Sequence, residues 1–131
     1  MIHRIDVQVT TPLKATEVRD RVQAAITNLF PTAEVEEGHG ELLAGAHSME
    51  RFAERLREQN IVDAARDVMR GGVEGDTISF DLKKQAAHEG VVNFAVGNPD
   101  ELGDLHVRVR VVEPDAEAFI DHLAPRSDAD G

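Results

Sequence analysis

From Leu105 to Val111 every second residue is apolar (Leu105, Val107, Val109, Val111), and between them stand His106, Arg108 and Arg110. A period of two puts the apolar side chains on one face of a strand and the basic ones on the other. The far face of such a strand is at least partly polar. Ile5, Val7 and Val9 alternate in the same way with Asp6 and Gln8, which predicts a first strand over about residues 2–10. Ile78, Phe80 and Leu82 predict another. Ala33–Glu37 and Glu41–Ala46 are short candidate strands, and Gly38-His39-Gly40 between them suggests a hairpin. Val91, Val92 and Phe94 suggest one strand more, with Gly97–Gly103 as the turn before the last.

The other segments keep a helical period. Val18, Val22, Ile26 and Leu29 share a face, with Thr16 as N-cap, Glu17 in the first turn and Pro31 as the stop. Ser48 offers a second N-cap, followed by the stripe Met49, Phe52, Ala53 and Leu56. Ile61, Val62, Ala65 and Met69 continue the period up to Gly71-Gly72, and Asn60 either breaks or bends the run. Pro114 opens a final short helix over Ala116–Leu123, with Phe119 and Leu123 inward. The order β-α-β-β-α-α-β-β-β-α, with short links between neighbouring strands, predicts an α+β class: a mainly antiparallel sheet with helices on one face. Residues 1–124 are expected to form a single domain and 125–131 a frayed tail.

A chain of 131 residues suits one domain, and one of this size buries roughly 65–70% of its unfolded surface. Cysteine is absent, which excludes a disulfide scaffold, a thiol nucleophile and a thiolate metal site. No apolar run is long enough to span a membrane, and the N-terminus lacks the apolar block of a signal peptide. A cytoplasmic protein without a membrane partner is expected. The net charge is −11, from 14 basic and 25 acidic residues, which argues against a polyanionic partner. Yet there are 11 Arg against 3 Lys, and a lysine-poor, acid-rich surface suits concentrated salt. At about 1 M salt the Debye length is ~3 Å, so local clusters count for more than net charge. Halophily is therefore expected.

The six histidines, His3, His39, His47, His88, His106 and His122, form no helical zinc motif. Gly71-Gly72-Val73-Glu74-Gly75-Asp76 follows a helix and precedes a strand, the reverse of a phosphate-binding loop. Glu36 with Glu37, and Asp63 with Asp67, read as solvated faces, with Asp63–Arg66 and Asp67–Arg70 at salt-bridge spacing. No catalytic constellation and no cofactor or metal site emerges. The basic stretch is different. Arg51, Arg55, Arg57, Arg66, Arg70, Lys83 and Lys84 make up seven of the 14 basic residues. Lys83-Lys84-Gln85 follows a strand directly, where cations and an amide suit phosphate and ribose contacts. Glu54, Glu58, Asp63 and Asp67 are interleaved with the arginines, and the phenylalanines fall at core positions, so base stacking is not expected.

Residues 59–94 include Ile61-Val62-Asp63-Ala64-Ala65-Arg66 and Lys84-Gln85-Ala86-Ala87. With Asn28-Leu29-Phe30-Pro31, Ser48-Met49-Glu50-Arg51-Phe52 and Pro114-Asp115-Ala116-Glu117-Ala118-Phe119-Ile120, this pattern resembles the archaeal uncharacterised protein family 0201, within a group of RNA-binding domain proteins. The resemblance covers nearly the whole chain and suggests a haloarchaeal member. It implies a fold similar to the large-subunit ribosomal protein that holds five-S RNA, and an RNA-binding role. Lys83 stands where the family usually has asparagine, and His88 where it has an aromatic residue.

The leading expectation is thus a non-enzymatic RNA-binding module without DNA specificity. Arg66, Arg70, Lys83 and Lys84 would contact phosphates, and Gln85 and Asn93 ribose or base edges. Two other readings stand beside it. Members of the family occur beside a dephospho-coenzyme A kinase-like protein, which suggests a nucleotide- or coenzyme-A-linked regulator or small enzyme. A protein–protein adaptor, as a homo-oligomer, is the third.

Overall fold

A computed structural model describes residues 3–96 and 103–126. The chain runs β1 (Arg4–Pro12), α1 (Arg19–Leu29), β2 (Glu34–Gly38), β3 (Glu41–Ala46), α2 (Glu50–Glu58), α3 (Val62–Gly71), β4 (Val73–Glu74), β5 (Thr77–Lys83), α4 (Lys84–His88), β6 (Asp104–Glu113) and α5 (Ala116–Leu123). Among the described residues the strands form one six-stranded sheet in the order β2-β3-β1-β6-β5-β4, and every pairing is antiparallel. The alternation of Leu105–Val111 is realised in the interior of the sheet. Val7 opposes Val109 and Val9 opposes Val107, while Ile78 opposes Val109 and Phe80 opposes Val107 on the other flank.

These inward side chains share one buried cluster with Ile26 and Leu29 of α1, Phe52 and Leu56 of α2, Met69 of α3, Ala87 of α4 and Ile120 of α5. The helices therefore cover one face, and the class is α+β as the pattern predicts. Phe30, Phe52, Phe80 and Phe94 form a chain of rings with centroids 5.8, 5.5 and 5.6 Å apart. Each such pair contributes about 0.5–1.5 kcal/mol beyond its burial. It also commits these rings to the core.

Several boundaries differ from the expectation. Val91, Val92 and Phe94 do not form a strand; a single bridge joins Phe94 to Leu82. Five residues of helix, α4, intervene after β5, so the chain returns to the sheet edge at one point only. β4, two residues long, is the edge strand in their place. α1 starts at Arg19, and its N-cap is Val18, which has no capping side chain, and not the expected Thr16; the Glu17 carboxylate accepts from Lys14 N at 2.9 Å and from Lys84. Met49, not Ser48, is the N-cap of α2, although Ser48 Oγ accepts from Glu50 N at 3.2 Å. Asn60, with φ of 59°, ends α2 and separates it from α3. The final helix begins after Asp115, whose carboxylate accepts from Ala118 N at 2.8 Å. The expected turn at Gly97–Gly103 lies outside the described residues except for Gly103, and the expected tail does so beyond Arg126.

Candidate functional site

Lys83 and Lys84 straddle the junction of β5 and α4. Lys83 is exposed, and its N–H donates to Asn93 O at 2.8 Å. Lys84 turns inward: it is 5% exposed. Its Nζ donates to Pro12 O at 2.8 Å and to both Glu17 carboxylate oxygens at 3.1 Å. This pair ties the end of β1 and the approach to α1 onto α4. Breaking a buried pair by removing one partner costs about 3–5 kcal/mol.

Three side chains, one from α1, one from α2 and that of Gln59 at the C-cap of α2, then hold the segment after α4. Asn28 Nδ2 donates to Ala87 O and His88 O at 3.1 and 2.9 Å. Arg55 Nε donates to Gly90 O at 2.6 Å. The Gln59 amide donates to Val92 O at 2.9 Å and accepts from Val92 N at 2.8 Å, as a neighbouring strand would. In the run expected to form a strand, the Gln59 side chain thus satisfies Val92, while Val91 N donates to Ala86 O and Asn93 O accepts from Lys83 N. Gln85 and Asn93 remain exposed on the framework so fixed.

A groove of about 480 Å³ runs between α1 and α4, lined by Thr16, Arg21, Lys84, Gln85, His88 and Glu89 among others. Arg21 is exposed, as is Lys14 at the approach to α1. Neither, nor Lys83, has an ion pair with any described residue. Most other cations do: Arg4 pairs with Glu113, Arg19 with Glu37, Arg51 with Glu54, Arg55 with Glu58 and Arg110 with Asp76.

The expected cationic set is therefore divided. Arg66 is 8% exposed and bonds Ala124 O at 3.0 Å and Asp121 at 2.6 Å. Arg70 is exposed and lies 3.6 Å from Glu117. Both serve the α3–α5 contact, away from the α1–α4 groove, and burial removes Arg66 and Lys84 from the surface where phosphates were expected. Both arginines of α3 reach across to carboxylates of α5. Lys83, Gln85 and Asn93 keep the exposed disposition the sequence suggested, as does Arg70, which however stands beside Glu117 of α5. Arg21 and Lys14 were missed, since nothing in a helix-facing period says which helix end meets a later segment.

Among the described residues no group of three histidines, aspartates or glutamates could hold a metal ion. His3 stacks on His122 with centroids 4.3 Å apart. Burial first, and then the neighbouring His122, hold its pKa below the ordinary 6.5.

The architecture is a two-layer α+β domain with helices on one side of a single sheet and with polar, surface-borne candidate chemistry. The chain belongs to the family UPF0201: a family model described as RNA binding matches residues 6–112. A UPF0201 protein of Metallosphaera sedula is 37% identical, over 91% of this chain and 87% of its own length. A UPF0200/UPF0201 protein of Archaeoglobus fulgidus is 35% identical over 94% of this chain, which spans only 38% of that relative. The crystal structure of a UPF0201 protein from Methanococcus jannaschii superimposes with a TM-score of 0.86 at 35% identity, covering 95% of this chain and 96% of that one.

Proposed function

We propose that this protein is a non-enzymatic RNA-binding domain that grips phosphates and riboses where α1 meets α4. The observation that carries the reading is the group of unneutralised, exposed cations Lys14, Arg21 and Lys83 around the buried Lys84–Glu17 pair, in a chain of the RNA-binding family. Lys83 and Arg21 contact phosphates, and Gln85 and Asn93 donate to ribose or base edges. Lys84 and Arg66 are scaffold. With Phe30, Phe52 and Phe80 buried, recognition runs through the RNA backbone and its shape more than through stacked bases. The setting is cytoplasmic and salt-rich, where a screening length of ~3 Å at about 1 M salt blunts the −11 net charge.

The test is fluorescence anisotropy of the protein with structured RNAs over a salt series. Lys83→Glu and Arg21→Glu weaken binding to all RNAs alike, and each lowers the salt slope by about one. Arg57→Glu, an exposed change on α2, leaves both unchanged. An unaltered slope in the first two variants moves the site elsewhere. Crosslinking in the host, with peptides mapped to residues 83–93, names the RNA.

A further inference from the structure

No helix covers the outer face of the sheet, and its side chains fall in registered rows. The central row runs Glu34 on β2, Gly45 on β3, Gln8 on β1, Arg108 on β6 and Ser79 on β5. The row beside it runs Glu36, Leu43, Thr10, His106 and Asp81. Glu34, Gly45, Gln8 and Arg108 of the first row and Glu36 and Leu43 of the second, with Asp6 and Arg110 beyond them, line an open trough of about 880 Å³. Its charge is divided. Glu34 and Glu36 stand on the edge strand β2, while Arg108, Arg110 and His106 stand on β6, three strands away. His106 is held by Asp81 at 2.7 Å and Arg110 by Asp76 at 3.5 Å, whereas Arg108 has no ion pair among the described residues.

We propose that this face is covered by a second copy of the same chain, packed sheet to sheet across a two-fold axis that runs parallel to the strands between β1 and β3. That rotation lays β2 over the partner's β6 and β3 over the partner's β1. In the central row Glu34 then meets the partner's Arg108, and Arg108 meets the partner's Glu34. Gln8 enters the gap left by the partner's Gly45, which has no side chain to fill it. In the next row Glu36 meets the partner's His106, and Leu43 lays its methyls on the partner's Thr10.

A two-fold interface must be complementary to itself, and these rows are so in charge and in bulk. Stacked sheets lie about 10 Å apart, a distance that one glutamate and one arginine span end to end. The usual offset of about 30° between stacked sheets leaves the central row nearest the axis in register. A polyanion laid over the same face meets Glu34, Glu36, Asp6 and Asp81 as well as the arginines, so a second copy satisfies both halves where RNA satisfies one. β5 falls one strand beyond the overlap. The dimer therefore leaves Lys83 and the α1–α4 groove open and does not depend on the RNA reading.

Sedimentation equilibrium of the full chain tests this. The wild type sediments as a dimer. Glu34→Arg and Arg108→Glu each set like charges opposite one another twice, and each weakens self-association at least about a hundredfold. An equimolar mixture of the two restores the dimer as a heterodimer, which neither variant achieves alone. Gly45→Leu, whose added Cβ meets nothing nearer than Val7 O at 4.0 Å, keeps the fold by circular dichroism but sediments as a monomer. The proposal is overturned by a monomeric wild type at the highest concentration reached, by single variants that dimerise as well as wild type, or by a mixture that stays monomeric. It also falls if Arg108→Glu abolishes RNA binding with the mass unchanged, since the face then belongs to RNA.

Discussion

Lys83 and Lys84 adjoin in the chain, yet only Lys84 is packed away, against Pro12 O and the Glu17 carboxylate. Their side chains are 6% and 9% exposed in that pair, Lys84 and Glu17 respectively, so solvent screens it little. Lys84→Ala strands a buried carboxylate, and urea unfolding is expected to register a loss of about 3–5 kcal/mol. Lys83→Ala stays within about 0.5 kcal/mol of wild type, as exposed changes do. Equal losses would mean that the two lysines share a role. Periodicity could not separate them. Within β5 the alternation of Ile78, Phe80 and Leu82 predicts which side chains point inward, but at Lys84 the period changes from strand to helix and that guide lapses. Only the packing of α4 against the far earlier α1 decides that Lys84 faces Glu17. Gln85 and Asn93 needed no such knowledge, because both stay on the surface.

At the scale of elements, the strands with strict alternation were legible and the segments held by side chains were not. β1, β3, β5 and β6 each bury one face, and that face can be read from the apolar period. The run Val91–Phe94 has the composition of a strand, but its polar backbone atoms are met by Gln59 and Lys83 from distant positions. Composition carries no mark of that. Gly71-Gly72 was readable as a helix stop, though the two glycines differ. A Cβ on Gly72 would lie 1.9 Å from Ser79 O, while Gly71 has open space. Gly72 lets the end of α3 close onto β5, where Ser79 N donates to Gly72 O at 3.0 Å. Gly72→Ala is expected to cost about 1–3 kcal/mol in chemical unfolding, the usual range for overpacking. Gly71→Ala is expected to be neutral or slightly stabilising. A harmless Gly72→Ala would show that the close approach is not needed.

For the whole molecule the dominant quantity is the net charge of −11. Self-repulsion of that size opposes compaction and is relieved by salt. The melting temperature is expected to climb as KCl is raised from roughly 0.1 to 1 M, across which the screening length falls from about 10 to ~3 Å. A flat response would remove the halophilic reading. Composition was enough to raise this expectation, but not to say where charge remains uncompensated. That depended on pairs such as Arg66–Asp121 and Arg70–Glu117, formed between helices far apart in the chain. The sheet's order has a consequence for synthesis. Of the described strands β1 comes first in the chain and lies between β3 and β6, and β6 comes last. Until β6 emerges from the ribosome one long side of β1 has no partner, and an open strand edge invites pairing with other chains. The nascent protein therefore carries an open edge on β1 until Asp104–Glu113 is made, and a stall before Asp104 would release an aggregation-prone fragment.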